Sequence, residues 1–145
     1  MLDRALKLDE LLCFSLYSAN HAMTRLYRPL LAELGVTYPQ YLVLVALWEK
    51  DSQRVNELGE RLALESNTLT PLLKRMEAAG LLIRRRNPSD ERSVIVALTD
   101  KGRSLEQASV EVSNRILDAV GGDVAEMIEL RDRIQTLAER LQGSD

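Results

Sequence analysis

Apolar residues in the first part of the chain recur every three or four positions. Leu12, Leu16, Ala19, Met23, Leu26 and Leu30 form one stripe, and Leu11, Phe14, Ala22 and Leu31 widen it. That period predicts an α-helix over residues 3–34, ended by Gly35. Pro29 is its weak point, because proline cannot donate to the Arg25 carbonyl. A helix apolar on more than one side is buried on more than one side, and in a chain of 145 residues a second subunit is the natural cover. Thr37-Tyr38-Pro39-Gln40 has the form of a capping box. The nearly unbroken apolar run that follows predicts a central core helix from Tyr41 to about Lys50, with Trp48 as a core side chain.

Residues 55–63 read as a short amphipathic helix, followed by a turn at Leu64-Glu65-Ser66 and a second helix that stops at Gly80. Together they predict a helix–turn–helix with Leu58, Leu62, Leu69, Leu72, Leu73 and Met76 facing inward. The pattern then changes to that of strands. Leu81-Leu82-Ile83 runs into Arg84-Arg85-Arg86, a polar turn spans residues 87–92, and Val94-Ile95-Val96-Ala97-Leu98 returns. A helix followed by a hairpin with a charged tip is the layout of a winged helix that grips DNA with both parts.

After Thr99-Asp100-Lys101-Gly102 a long helix is predicted, with Leu105, Ala108, Val112, Ile116 and Val120 on one stripe. Gly121-Gly122 breaks it, and Asp123 caps a last helix. Met127, Leu130, Ile134, Leu137 and Leu141 in that helix are spaced as an a/d seam. Such a seam predicts helix-to-helix dimerisation, with packing on the chain's own first helix as the alternative. The expected architecture is mainly α (α+β), one domain over residues 1–145. Residues 37–101 would form the winged helix–turn–helix lobe, and residues 1–35 and 102–145 the dimerisation helices.

Composition narrows the chemistry. The chain is 46% apolar with one Phe and one Trp, so its core must come from Leu, Val, Ile and Ala. No apolar run approaches the roughly 20 residues of a membrane span, and the N-terminus lacks a secretory pattern, so a cytoplasmic protein is expected. One cysteine excludes an intramolecular disulfide and a Cys-based zinc site, and one histidine excludes a multi-histidine metal site. No nucleotide-binding or hydrolase motif is present. We therefore expect no cofactor, no metal and no enzyme.

The net charge of −3 conceals a division. Residues 66–103 carry eight Lys/Arg against four Asp/Glu, a local +4, and the rest carry eleven against eighteen, a local −7. Positive charge gathered on the helix and hairpin is what phosphate binding requires. The candidate DNA contacts are the short polar side chains Ser66, Asn67, Thr68 and Thr70 at the helix start. To these we add the phosphate candidates Lys74, Arg75, Arg84, Arg85 and Arg86, and Arg92 for minor-groove insertion, with Asp90 orienting its guanidinium. Ser66 could equally serve as a simple N-cap.

The order of elements, with Asp90-Glu91-Arg92-Ser93 and Leu98-Thr99-Asp100-Lys101-Gly102, resembles the MarR family of dimeric winged-helix transcription regulators. Residues 12–18, Leu26-Tyr27-Arg28-Pro29-Leu30, residues 34–41 and residues 67–76 are similar to its organic-hydroperoxide-sensing branch, OhrR. The resemblance implies a homodimeric repressor on double-stranded, pseudo-palindromic operator DNA, which it leaves when organic hydroperoxides oxidise one cysteine. Cys13 would be that thiol, and Tyr27 and Tyr38 the hydroxyls that hydrogen-bond it. A form of the branch carries a second, resolving cysteine. This chain has none, so oxidised Cys13 would be capped by a low-molecular-weight thiol as a mixed disulfide, or go on to over-oxidised acids.

Helical geometry adds a constraint. Cys13 and Tyr27 are fourteen residues apart, which on a helix is about 40° in angle but roughly 21 Å along the axis. They share a face without touching, so a joint site needs Tyr27 from a second copy. Two alternatives stand beside the sensor. One is a MarR-like repressor released by a non-covalent small aromatic ligand, with Cys13 structural. The other is a one-cysteine thiol peroxidase, which lacks the nearby Arg and Thr that polarise a peroxide in such enzymes.

Overall fold

The computed structural model describes residues 1–143. The chain divides into two compact units, residues 1–109 and the remainder from Val110.

The first unit opens with an exposed segment that holds only a single 3-10 turn, Leu8–Glu10. The sequence predicts helix from residue 3; the structure starts α1 at Leu12 (Leu12–Leu34). Local bonding explains the difference. Arg4 grips both oxygens of Glu10 at 2.7 Å, Glu10 also accepts the Lys7 amide at 2.8 Å, and Leu11 is extended. Beyond that turn α1 runs unbroken through Pro29. It ends at Gly35, whose φ of 72° is the left-handed cap that glycine adopts without steric cost.

Thr37 and Gln40 then form the expected reciprocal capping box, with Thr37 N donating to Gln40 Oε1 at 3.1 Å and Gln40 N to Thr37 Oγ1 at 3.4 Å. This cap starts α2 (Tyr38–Glu49) three residues earlier than the apolar run suggests. Helix α2 buries Tyr41, Val43, Leu44, Ala46 and Leu47 and touches α1, the next two helices and the last strand. The buried Gln53 amide closes its C-terminal end by donating to the Ala46 and Lys50 carbonyls at 2.9 and 2.5 Å.

Gln53 and Arg54 form a two-residue strand, β1. Helix α3 (Val55–Leu62) follows and ends at Ala63, held at φ 54°. Helix α4 (Ser66–Ala78) packs Leu69, Leu72, Leu73 and Met76 inward, as the pattern requires. Its N-cap is Glu65, so Pro71 falls in the second turn and leaves the Asn67 carbonyl without its helical donor.

Strands β2 (Leu82–Asn87) and β3 (Asp90–Leu98) are antiparallel, and β1 pairs on the far side of β3, giving the order β1-β3-β2. Arg86 pairs with Val94 and Asn87 with Asp90, so residues 91–93 bulge out without partners on β2. The charged tip is therefore a tight turn plus a bulge.

Helix α5 (Asp100–Ala119) begins in the first unit. The second unit holds its remainder, with Val112 and Ile116 buried, a turn at Gly121-Gly122, and α6 (Val124–Gln142). Asp123 caps α6 by accepting from the Ala125 and Glu126 amides at 2.9 and 3.2 Å. No residue of α6 is buried, and seam residues Leu130, Ile134 and Leu141 are exposed. Among the described residues, no single helix is long and apolar enough to cross a membrane.

Candidate functional site

Two groups of side chains stand out, one on α4 and the hairpin and one on α1 and α2. In the first, Ser66, Asn67 and Thr68 are exposed on the opening turn of α4, and Thr70 is half-buried one turn on. Because Glu65 holds the cap position without a side-chain cap bond, the Ser66 hydroxyl is not used as an N-cap. Lys74 and Arg75 are exposed further along the helix.

Pleating separates the three arginines. Arg84 and Arg86 share the face of buried Leu82, while Arg85 lies on the opposite face with exposed Ile83. Arg84 is committed to the protein itself. Its amide donates to Glu77 Oε2 at 2.7 Å, and its guanidinium donates to Oε1 at 3.1 and 3.3 Å. The Arg84 backbone amide, and then its guanidinium, hold the Glu77 carboxyl below the usual carboxylate range. The pair ties the end of α4 to the start of the hairpin.

At the tip, Asp90 Oδ1 accepts the backbone amide of Arg92 at 3.0 Å, and the Ser93 hydroxyl donates to the Asp90 carbonyl at 3.2 Å. Asp90 thus shapes the bulge; among the described residues it takes no hydrogen bond from the Arg92 guanidinium that we expected it to orient. Between α4 and the hairpin lies a concavity of about 440 Å³ whose lining includes Ser66, Thr70, Arg84 and Arg92. Arg54 and Asn56 also line it. Sequence reading passed over these two, because a two-residue strand has no period to recognise and Arg54 looks like a loop residue paired to Glu57 (2.6 Å).

In the second group, Cys13 is exposed in the first turn of α1. Tyr17, one turn on, is exposed and meets His21 edge-on at 4.4 Å. Tyr27 lies further along α1 against Tyr38, the first residue of α2, with ring centroids 5.0 Å apart. Tyr41 flanks Tyr27 at 5.9 Å. Burial first, then the neighbouring Tyr38 and Tyr41, push the Tyr27 phenol up to about 12. Burial, then Tyr41, also raise Tyr38. Both hydroxyls therefore keep their protons at neutral pH and remain donors. The structure brings Tyr27 and Tyr38 together; the unbroken α1 keeps Cys13 fourteen residues, roughly 21 Å, from Tyr27. Among the described residues, no group of three or more His, Cys, Asp or Glu side chains is placed to hold a metal.

A helix–turn–helix with a basic hairpin behind its second helix defines a winged-helix regulator. The profile of the transcriptional regulator SarA/Rot family matches residues 25–108. The chain is 44% identical over 136 residues to the organic hydroperoxide resistance transcriptional regulator of Bacillus subtilis (strain 168), covering 94% of this chain and 92% of that one. It is 45% identical over 141 residues to the HTH-type transcriptional regulator TtmR of Methylorubrum extorquens (strain PA1), covering 97% and 72%. In structure it is similar to reduced AbfR bound to DNA, with a TM-score of 0.80 and 39% identity over 91% of this chain and 90% of that one. The chain belongs to the MarR family of winged-helix transcription regulators and is of the organic-hydroperoxide-regulator (OhrR-like) type, with one cysteine.

Proposed function

We propose that this regulator is a homodimeric repressor that senses organic hydroperoxides through Cys13 and then releases a pseudo-palindromic operator, derepressing a peroxide-resistance gene in the cytoplasm. The observation that carries the reading is the division of α1 into two half-sites. An exposed thiol stands near one end, and fourteen residues on stands Tyr27, whose ring meets that of Tyr38 at the start of α2. Two copies with their first helices crossed antiparallel near Asn20 would bring each Cys13 to the other copy's Tyr27 and Tyr38. The exposed apolar seam of α6 supports pairing, and the likeness to a hydroperoxide resistance regulator supports the input.

The chemistry starts from the thiolate, the nucleophilic form of cysteine. Two phenolic O–H donors stabilise that anion. Sγ attacks the distal oxygen of the hydroperoxide, the O–O bond breaks, and the alcohol departs with a proton, leaving Cys13 as a sulfenic acid. A small thiol then attacks sulfur and expels water, giving the mixed disulfide. A bulky group on an interfacial sulfur forces repacking and changes the spacing of the two α4 helices. On DNA, Ser66, Asn67, Thr68 and Thr70 enter the major groove. Lys74, Arg75, Arg85 and Arg86 meet phosphates, Arg84 braces the hairpin against α4, and Arg92 reaches the minor groove from the bulge that Asp90 holds.

A second reading, release by a non-covalent small aromatic ligand, draws on one observation. A cavity of about 450 Å³ lies between α1 and the turn into α2, lined by Thr24, Arg28, Leu31, Val36 and Tyr38 among others. Substituting Cys13→Ser separates the two. In a gel-shift assay on duplex selected by the reduced protein, cumene hydroperoxide with added thiol releases wild type and leaves Cys13→Ser bound. Release of both proteins would favour the non-covalent reading.

A further inference from the structure

The two sensor phenols are one end of a longer file of rings. Tyr38 meets Tyr27 at 5.0 Å, Tyr27 meets Tyr41 at 5.9 Å, and Tyr41 meets Trp48 edge-on at 6.2 Å. The file ends in a hydrogen bond, because Trp48 Nε1–H donates to the Gly102 carbonyl at 3.0 Å. Gly102 is pinned where it stands. A Cβ there would lie 2.0 Å from the Leu81 carbonyl oxygen, so only glycine fits.

The first turn of α5 is bonded just as closely to the reading parts. The Thr99 hydroxyl donates to the Gly80 carbonyl at 2.6 Å and accepts the Gly102 amide at 3.1 Å. Lys101 Nζ donates to the Ala79 carbonyl at 2.9 Å. Asp51 accepts the Leu98 amide at 2.9 Å with one oxygen and the Arg103 guanidinium at 3.1 Å with the other. The carbonyl that fixes Trp48 is therefore fixed to the C-terminal end of α4 and the base of the hairpin.

We infer that Tyr41 and Trp48 are positioning residues that set the sensor hydroxyls of Tyr27 and Tyr38 from the DNA-reading end of the lobe. The inference rests on the sensor reading of those two tyrosines. Tyr41 is buried, and close-packed rings shift together. Coupling of this kind is reciprocal in free energy. Displacing Tyr27 displaces Trp48, and DNA held on α4 and the hairpin alters how readily Cys13 reacts.

Trp48 is the only tryptophan in the chain, so its emission reports the far end of the file directly. The test uses the full reduced protein as wild type, Tyr27→Leu, Tyr41→Leu and the double variant, with Tyr41→Phe retaining the ring. Tyr27→Leu is expected to shift Trp48 emission when Tyr41 is present and to leave it unmoved in the Tyr41→Leu background. Additive shifts would overturn the inference. The second readout is the rate at which cumene hydroperoxide consumes the Cys13 thiol, with and without a duplex selected from a random DNA pool. In wild type, DNA changes that rate by about fivefold, the effect of altering one hydrogen bond to the thiolate by about 1 kcal/mol; in Tyr41→Leu the ratio falls to about one, and Tyr41→Phe restores it. An equal ratio in wild type and Tyr41→Leu also overturns it. Should Tyr41→Leu fail to fold by circular dichroism, Tyr41→Met, of similar volume and without a ring, takes its place. If the wild-type thiol does not react at all, the sensor reading fails, and the emission cycle alone decides whether the file couples its ends.

Discussion

Burial pushes the Tyr27 phenol up to about 12, so at neutral pH its ring carries a proton to donate. Tyr27→Phe and Tyr38→Phe each remove one donor and keep the ring contact. With a hydrogen bond to a charged group valued at about 1.5 kcal/mol, each variant is expected to slow thiol oxidation by about tenfold while DNA binding by reduced protein stays intact. Stopped-flow thiol loss measures the rate, and unchanged rates in both variants would remove the tyrosines from the mechanism. Asp51 makes a different prediction. Burial alone raises its carboxyl, but the Leu98 and Ser52 amides and Arg103 outweigh burial and hold it below its ordinary 3.8. A carboxyl depressed in the folded state stabilises fully above its unfolded value, near 4, and that contribution is lost as pH falls through the folded value. Asp51→Asn is thus expected to melt below wild type at pH 7, with the gap narrowing as the pH is lowered to 3. A gap that is equal at both pH values would show that the carboxylate's charge does not contribute.

At the scale of elements, the turn between α3 and α4 holds a correctable strain. Ala63 sits at φ 54°, a conformation that favours glycine. Ala63→Gly is expected to raise stability by about 0.5–1 kcal/mol, read from urea denaturation; a loss of stability would place a packing role on the Ala63 methyl. Such details mark how far sequence could be read. The helices were legible because apolar spacing repeats over two turns or more, and Thr37-Gln40 and Gly35 announce their ends chemically. Strand β1 was not legible, since two residues carry no period. The early start assigned to α1 failed because Arg4 and Glu10, six residues apart, close a turn that apolar spacing does not show. At the interface, charge was readable but its partners were not. Three adjacent arginines look alike until the pleat turns two toward α4 and gives one of them to Glu77.

Across the whole molecule, opposite charge is segregated along the chain, +4 over residues 66–103 against −7 elsewhere. A duplex is attracted to the reading end and repelled by the rest, so encounters are oriented before contact, and more so at low salt. The unbroken α1, which parts Cys13 from Tyr27 by fourteen residues, has a genetic consequence for a pair of such chains. In the crossed pair proposed above, each chain lends its cysteine to one site and its tyrosines to the other. Two defective alleles, Cys13→Ser and Tyr27→Phe, then complement each other by subunit exchange. The hybrid carries one site with both parts and one with neither, so each hybrid holds half of the fast-reacting sites of a wild-type pair; random exchange of equal amounts makes about half of the pairs hybrid and returns about a quarter of the wild-type sites. Native mass spectrometry identifies the hybrid and stopped-flow thiol loss counts its competent sites. If each chain built its site alone, exchange would restore nothing.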